Sequence, residues 1–314
     1  MTVHAVIVNW NGIEDTLQCI KNLMDQTMVP VIHVVDNGSE DGSAEVLASL
    51  GNQIILHRLG SNVGFAAGAN VGIRAALEAD ATFVFLQNND ATCERSAISM
   101  LLASALRHPK AGLFGGRIYR DRAQDVLWAC GVSMGWSPNL GRLRGHGQRG
   151  ASRFVDEEEV DSLTGCGLLV RASLLREIGL LDESFFVYVE DADLCARARR
   201  AGSRCVYVPS AILEHKGGGS TGHGYGPTRK YLTAYFSVHY LRLHGTAPLY
   251  ASFLIFDVLA LPFTLLMALV TGRGQGALAK AKGLWHGLRN RPFDRRVLKS
   301  RVMRGASLVG KAGR

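Results

Sequence analysis

The chain has 314 residues, of which 47% are hydrophobic and 20% charged, with a formal net charge of +8. This apolar content suits one large α/β domain or two modest ones. Six scattered cysteines (19, 93, 130, 166, 195 and 205), with no Cys-x-x-Cys pair, exclude a disulfide framework and read as small apolar residues in a reducing compartment.

In chain order, "MTVHAVIVNWNG" lacks the charged start and cleavage site of a secretory signal, so none is expected. Residues 3–8 (VHAVIV) read as a buried strand ending at NWNG. A helix follows over IEDTLQCIKNLMDQ, with Leu17, Ile20, Leu23 and Met24 on one face. A second strand at 31–35 (VIHVV) stops at DNGSEDGS. A helix pattern then leads to a third strand near QIILHRL. Helix and strand recur in GFAAGANVGIRAALEA and TFVFLQ, and the latter ends at NNDATC. Strands alternating with helices predict a mostly parallel sheet covered on both faces. Ligands then bind beyond the carboxyl ends of the strands, which places Asn9–Asn11, Asp36–Ser39 and Asn88–Asp90 along one rim.

Residues 115–160, rich in Gly, Arg and aromatics, predict extended loops laid over the sheet. A strand and short helix return at SLTGCGLLVRASLLREIGLLDE, and residues 226–243 read as a helix. From Ala247 to Val270 the only formal charge is Asp257. These 24 residues would reach about 36 Å as one helix, the span of a bilayer, but Pro262 divides them. From Gly272 onward twelve Lys/Arg face one acid, a net of +11, while the preceding residues carry 23 Lys/Arg against 26 Asp/Glu. A spanning helix would translocate the basic tail against the positive-inside rule. The expectation is therefore a monotopic or re-entrant hairpin, with 247–314 on an anionic membrane surface at the cytoplasmic, inner face of the cell membrane. The alternative is a pair of helices buried at a subunit interface, as in a homodimer. No stacking platform or recognition helix accompanies the charge, so nucleic acid is not an expected partner.

Four stretches carry candidate chemistry. In VVDNGSEDGS, Asn37-Gly38 reads as a tight turn that leaves Asp36 at a strand end, able to accept from a base or ribose. In NVGFAAGANVGIRAA, Gly64, Gly68 and Gly72 recur every four residues. The pattern reads partly as close helix packing, and it is neither a dinucleotide fingerprint nor a Walker A motif. In FVFLQNNDATC, Asp90 could ligate a hard divalent cation, with Asn88 and Asn89 as neutral oxygen donors or ribose contacts. In EHKGGGST, His215 precedes three glycines suited to closing over a phosphate. A fifth stretch, FFVYVEDADLCARARRAG, packs Glu190, Asp191 and Asp193 at a helix start and Arg197, Arg199 and Arg200 at its end, as the macrodipole favours. Asp193 reads as helix support and the arginines as a solvated helix end.

Taken in order, strand–NWN, strand–DNGS, NVGFAAGAN, strand–NND, GCG, FVYVEDADL and the late HKGGGS turn resemble the family 2 inverting glycosyltransferases of the GT-A fold, most of all rhamnosyltransferase-type members. The resemblance covers about residues 3–243 and implies a GT-A catalytic domain over 1–243. Residues 1–112 would be its nucleotide-binding half and 113–243 its acceptor and catalytic half, ahead of a membrane-associating segment at 244–314. It implies transfer of rhamnose or another hexose from a dTDP- or UDP-sugar to a polyprenyl-linked or polysaccharide acceptor in bacterial cell-surface glycan synthesis. It also implies roles. Asp191 matches the catalytic base, with Glu190 beside it. Asn9, Asn11, Asp36, Asn37, Asn62, Gly64, Phe65, Asn88 and Asn89 would line the nucleotide-sugar pocket. Asp90 would hold Mg2+ or Mn2+, and His215 could complete the metal shell or touch the diphosphate directly. Asn88 stands where the family's metal motif has its first acid, so the diphosphate would hold much of the metal. A nucleotidyltransferase and a non-catalytic nucleotide-sugar-binding membrane scaffold are the competing readings. The former wants a basic Gly-rich motif after the first strand, which NWNG does not supply.

Overall fold

The computed structural model describes residues 1–137, 139–150, 152–217, 226–272 and 274–293. Residues 218–225 of the predicted glycine-rich turn and the basic stretch 294–314 lie outside the described residues. Two compact units are present, Met1–Met134 with Leu143–Gly217 and Gly135–Arg142 with Gly218–Arg314.

The first unit begins with β1 (Val3–Asn9), α1 (Ile13–Met24), β2 (Val31–Asp36), α2 (Ser43–Ala48), β3 (Ile55–Arg58), α3 (Phe65–Glu78) and β4 (Phe83–Asn88). Next come β5 (Ala91–Cys93), α4 (Ala97–Arg107), β6 (Ala111–Asp121) and β7 (Val126–Ala129). A separate two-stranded sheet holds β8 (Val132–Trp136) and β9 (Leu140–Leu143). The unit closes with β10 (Glu158–Val160), β11 (Gly167–Arg171), α5 (Ala172–Ile178), α6 (Glu190–Arg200) and β12 (Arg204–His215). The central sheet runs β10-β12-β6-β11-β4-β1-β2-β3, with β5 against β12 and β7 against β6.

Strands β3, β2, β1 and β4 pair in parallel, as do β12 and β6, while β11 enters antiparallel between β4 and β6. One face is covered by α1, α2 and α4 through Ile20, Leu23, Leu47, Ile98 and Leu101. The other is covered by α3, α5 and α6 through Ala66, Ile73, Leu174, Leu175 and Leu194. Burial on both faces is why β1, β2 and β4 read as apolar runs. Full burial of a side chain such as Phe83 or Phe85 contributes about 1.5–3 kcal/mol.

Gly72 explains part of the glycine repeat, because a Cβ there would lie 2.6 Å from Val6 Cγ1. Helix α3 therefore sits closer to β1 than an alanine permits. On the same sheet a file of stacked histidines crosses three strands. His4 Nδ1 lies 2.9 Å from His33 Nε2, and His33 Nδ1 lies 3.1 Å from His57 Nε2. Burial holds all three below the usual imidazole range, with His33 pushed down to about 4.

Two expectations change. Residues 115–160 are not loops laid over the sheet, because β6 and β7 are strands within it. Glycines conceal β6. A Cβ at Gly116 would lie 2.2 Å from the Ala211 carbonyl oxygen, and one at Gly115 would lie 2.8 Å from Leu163 Cδ2, so no alternation of side chains shows. Arg197 is not a solvated helix end. It pairs with Asp193 at 2.8 Å and donates to the carbonyls of Ile178 at 2.9 Å and Leu180 at 2.7 Å, which fastens α6 to the end of α5.

The second unit holds α7 (Pro227–His244), α8 (Ala247–Phe253), a π-helical segment (Leu254–Leu259), α9 (Leu261–Val270) and α10 (Gly274–Leu288). Gly283 brings α10 against α7, since a Cβ there would lie 2.4 Å from the Tyr231 carbonyl oxygen. Trp136, Ala234, Val238, Leu241, Phe253 and Leu284 form its core. This packing groups 226–243, which the sequence had assigned to the catalytic domain, with the C-terminal helices. Among the described residues no single helix is long and apolar enough to cross a membrane. Ala247–Leu259 and Leu261–Ala268 form a pair bent by 42°.

Candidate active site

The register of the parallel strands builds the rim, with Asn9 opposite Asp36 and Val8 opposite Asn88. Asn9 is fully buried and donates from Nδ2 to Asp36 Oδ1 at 2.9 Å and to Ser39 Oγ at 3.1 Å, while its Oδ1 accepts from Thr16 Oγ1 at 2.7 Å. Asp36 is buried, and its other oxygen accepts from the Ser39 amide at 3.4 Å. Asn11 adopts φ 50 and accepts from the Glu40 amide at 2.7 Å, so it ties the end of β1 to the turn after β2.

Asn37 is turned into the protein. Its Nδ2 donates to Asn62 Oδ1 at 3.2 Å and to the Gly64 carbonyl at 3.0 Å, and its Oδ1 accepts from the Val63 amide at 3.0 Å. It clamps loop 61–64. Gly38 permits the clamp, because at φ +72 a Cβ would lie 2.4 Å from Ser61 Cα. Gly64 at φ +98 allows a second close approach, and the Phe65 amide donates to the Phe186 carbonyl at 2.6 Å. The start of α3 thereby meets the loop that leads into α6.

That loop carries the carboxylate pair. Tyr188 (φ 69) and Val189 (φ 74) both stand in the left-handed region, which for a β-branched valine costs on the order of 1–3 kcal/mol. This left-handed turn leads directly into Glu190 and Asp191 at the first turn of α6. Asp191 keeps partial exposure. Its Oδ2 accepts from the Gly165 amide at 2.9 Å and its Oδ1 from the Ala192 amide at 2.7 Å. Each oxygen retains a lone pair for a further proton donor. Burial raises the Asp191 carboxyl above its usual range, partly opposed by those amides. Glu190 is buried, and its Oε2 has no hydrogen-bond partner. Burial, then the charge of Asp191, pushes it up to about 8. At neutral pH the raised Glu190 carboxyl keeps its proton, while the two amides on Asp191 favour the charged form of that side chain.

Pairing of β5 with the end of β12, His215 opposite Ala91, brings the predicted metal residues together. His215 Nε2 lies 3.1 Å from Asp90 Oδ1 and 3.4 Å from Asn88 Nδ2. Trp128 packs edge-on against the imidazole at 4.6 Å, and the buried Nδ1 has no partner. Among the described residues no group of three or more His, Cys, Asp or Glu encloses a metal. One carboxylate and one imidazole would fit a divalent cation completed by substrate phosphates and water. Asn89 instead donates to Thr16 Oγ1 at 3.1 Å.

Cys166 joins the two halves of the site. Its thiol is pushed up to about 12, mainly by burial, and the charges of Asp90 and Asp191 both add to the shift. Gly165, whose amide meets Asp191, comes just before β11, and Gly167 of β11 stands opposite Gln87 of β4, one residue before Asn88. Sequence reasoning missed Thr16, Trp128 and the Gly165 amide; only the polar break TGCG before β11 pointed to the last of these. It also missed Lys216, which reaches Asp15 at 2.8 Å.

The family model described as Glycosyl transferase family 2 matches residues 5–179. The N-acetylglucosaminyl-diphospho-decaprenol L-rhamnosyltransferase of Mycobacterium tuberculosis (strain ATCC 25618 / H37Rv) is 32% identical over 206 residues, 60% of this chain and 67% of that protein. The dTDP-rhamnosyl transferase RfbF of Shigella flexneri is 25% identical over 215 residues, 68% of each chain. Among solved structures, the mannosyltransferase PcManGT from Pyrobaculum calidifontis, in complex with GDP-Man and Mn2+, superposes with a TM-score of 0.59 at 16% identity. The match covers 92% of this chain and 87% of that one. GalNAc-T7 with UDP, GalNAc and Mn2+ gives 0.55 at 14% identity over 68% of this chain and 44% of that one. At these identities the two structures bear on the fold alone.

Proposed function

The chain belongs to glycosyl transferase family 2 and has a GT-A-like fold, and on that premise we propose that it moves rhamnose or another hexose from a dTDP- or UDP-linked donor, with inversion, to a lipid-linked or polysaccharide acceptor. The observation that carries the reading is an amide-anchored carboxylate, Asp191, at the Gly165 amide just before β11, and a carboxylate–imidazole pair, Asp90 with His215, just after β4, the strand that pairs with β11. Two relatives support the choice of sugar, since both are named as rhamnosyltransferases, and the name of one includes a diphospho-decaprenol.

In this reading the polar rim from Asn9 to Asn62 receives the nucleoside. Asp36 and Asn37 act there largely through the turns they hold, since both side chains are already bonded to neighbours. Asp90 and His215 would hold Mg2+ or Mn2+, which when bound supplies positive charge beside the leaving diphosphate. Asp191 accepts the proton of the acceptor hydroxyl as that oxygen attacks the anomeric carbon and the bond to the diphosphate breaks. Glu190, whose carboxyl burial raises, keeps its proton and leaves Asp191 to serve as the base. One displacement on one face inverts the anomeric centre, and the site offers no second carboxylate placed as a nucleophile among its described residues.

The test is a panel of dTDP-, UDP- and GDP-sugars incubated with the protein and Mg2+ or Mn2+, with release of nucleoside diphosphate as the readout. Turnover of a dTDP- or UDP-hexose that stops on chelation is the expected result. No turnover of any donor with either ion would sink the proposal.

A further inference from the structure

The second unit carries a helix that is apolar on its outside and charged on its inside. In Leu254–Leu259, Leu254 is 51% and Leu259 74% exposed, whereas Asp257, the only charge in the segment, is 3% exposed. Water-soluble helices show the opposite arrangement. The Asp257 carboxylate accepts from the Trp136 indole N–H at 2.5 Å and pairs with the Lys280 ammonium, so its charge is neutralised inside the unit. The exposed apolar face continues along α9 through Phe263 (67%), Leu266 (59%) and Val270 (77%). Of the 23 exposed large apolar side chains among the described residues, 13 fall between Tyr250 and Leu288, a concentration far beyond singly scattered surface residues.

Charge decides what covers this face. Lys282, Arg289 and Arg291 are exposed just after it, and residues 272–314 carry a net of +11. A second copy would bring the same cations against them, whereas an anionic lipid surface complements them. We infer that the bent pair Ala247–Leu259 and Leu261–Ala268 is a docking face for an anionic bilayer, lying in the interfacial plane with Asp257 withdrawn onto Lys280 and Trp136. The 42° bend and the absence of any helix of spanning length among the described residues fit an in-plane wedge. The inference rests on the C-terminal unit alone and stands apart from the sugar-transfer reading.

The experiment is flotation of the full chain with vesicles of phosphatidylcholine plus phosphatidylglycerol, and with phosphatidylcholine alone. Wild type rises with the anionic vesicles, less with the neutral ones, and salt narrows the difference. The triple variant L259Q/F263Q/V270Q removes three exposed side chains, keeps the thermal midpoint of the parent, and loses at least about a hundredfold in partitioning. The variant K282E/R291E loses binding to the anionic vesicles and keeps its weaker binding to neutral ones. The inference is overturned if wild type stays in the dense fraction or if the triple variant floats as well as wild type. It is equally overturned if light scattering without lipid finds a dimer that the triple variant converts to monomer. Unchanged anionic binding by the charge-reversed variant overturns the assignment to an anionic surface.

Discussion

Replacing Asp191 by asparagine lowers the rate of transfer at saturating donor by about 10²–10⁴-fold and leaves the donor dissociation constant within a few-fold of wild type. The reason lies in what each state of the side chain can accept. Asp191 is held by the amides of Gly165 and Ala192, one on each oxygen, and still offers a lone pair to an incoming hydroxyl. Asparagine keeps one acceptor oxygen and turns an N–H₂ toward the other amide. It therefore loses the base and also leaves one part-buried donor opposed by another, a cost of about 1 kcal/mol in stability. Donor titration and a denaturant melt run beside the kinetics separate the two effects. An Asp191→Asn protein that transfers sugar at near the parent rate sinks the assignment of the base. One that no longer binds donor shows instead that the residue supports the pocket.

Glu190→Gln produces the second large effect, and it appears in stability rather than rate. Glu190 has its carboxyl raised from the ordinary value of 4.5 to about 8, first by burial and then by the charge of Asp191. A carboxyl raised in this way contributes stability that is complete below about pH 4.5 and is lost as pH rises through about 8. Wild type therefore weakens between about pH 5 and about pH 9 by roughly 3–4 kcal/mol from this group alone. Glutamine keeps the neutral polar shape and cannot ionise, so its curve stays flatter by that amount. Denaturant unfolding at the two pH values gives the comparison directly. Parallel curves for parent and variant mean that Glu190 already carries its charge at neutral pH, and the picture of a protonated Glu190 fails.

Much of this site was legible because its strands are covered on both faces. The apolar runs of β1, β2 and β4 each stop abruptly at polar residues, and register then sets Asn9, Asp36 and Asn88 side by side. What the residues could not show is which polar groups are already satisfied. Asp36 read as a free acceptor for a base or ribose, yet Asn9 occupies one of its oxygens. Asn37 read as a turn residue, yet it braces loop 61–64. The second half of the sheet was hidden for a different reason. Gly115 and Gly116 in β6 leave room for Leu163 and the Ala211 backbone, so the alternation that announces a strand is missing. Asp257 read only as the one charge in an apolar segment; its partners, Trp136 and Lys280, lie 121 and 23 positions away in the chain. Pairings at such distance leave no local trace.

The central claim, a single displacement assisted by one carboxylate base, is tested most directly by the configuration of the product. Wild-type protein is incubated with the turned-over nucleotide sugar and its acceptor, and the one-bond carbon–proton coupling at the anomeric centre is read by NMR in donor and product. The account predicts inversion, with no glycosyl–protein adduct in the mass spectrum of the quenched reaction. Retention, or a covalent adduct on any side chain, would contradict it.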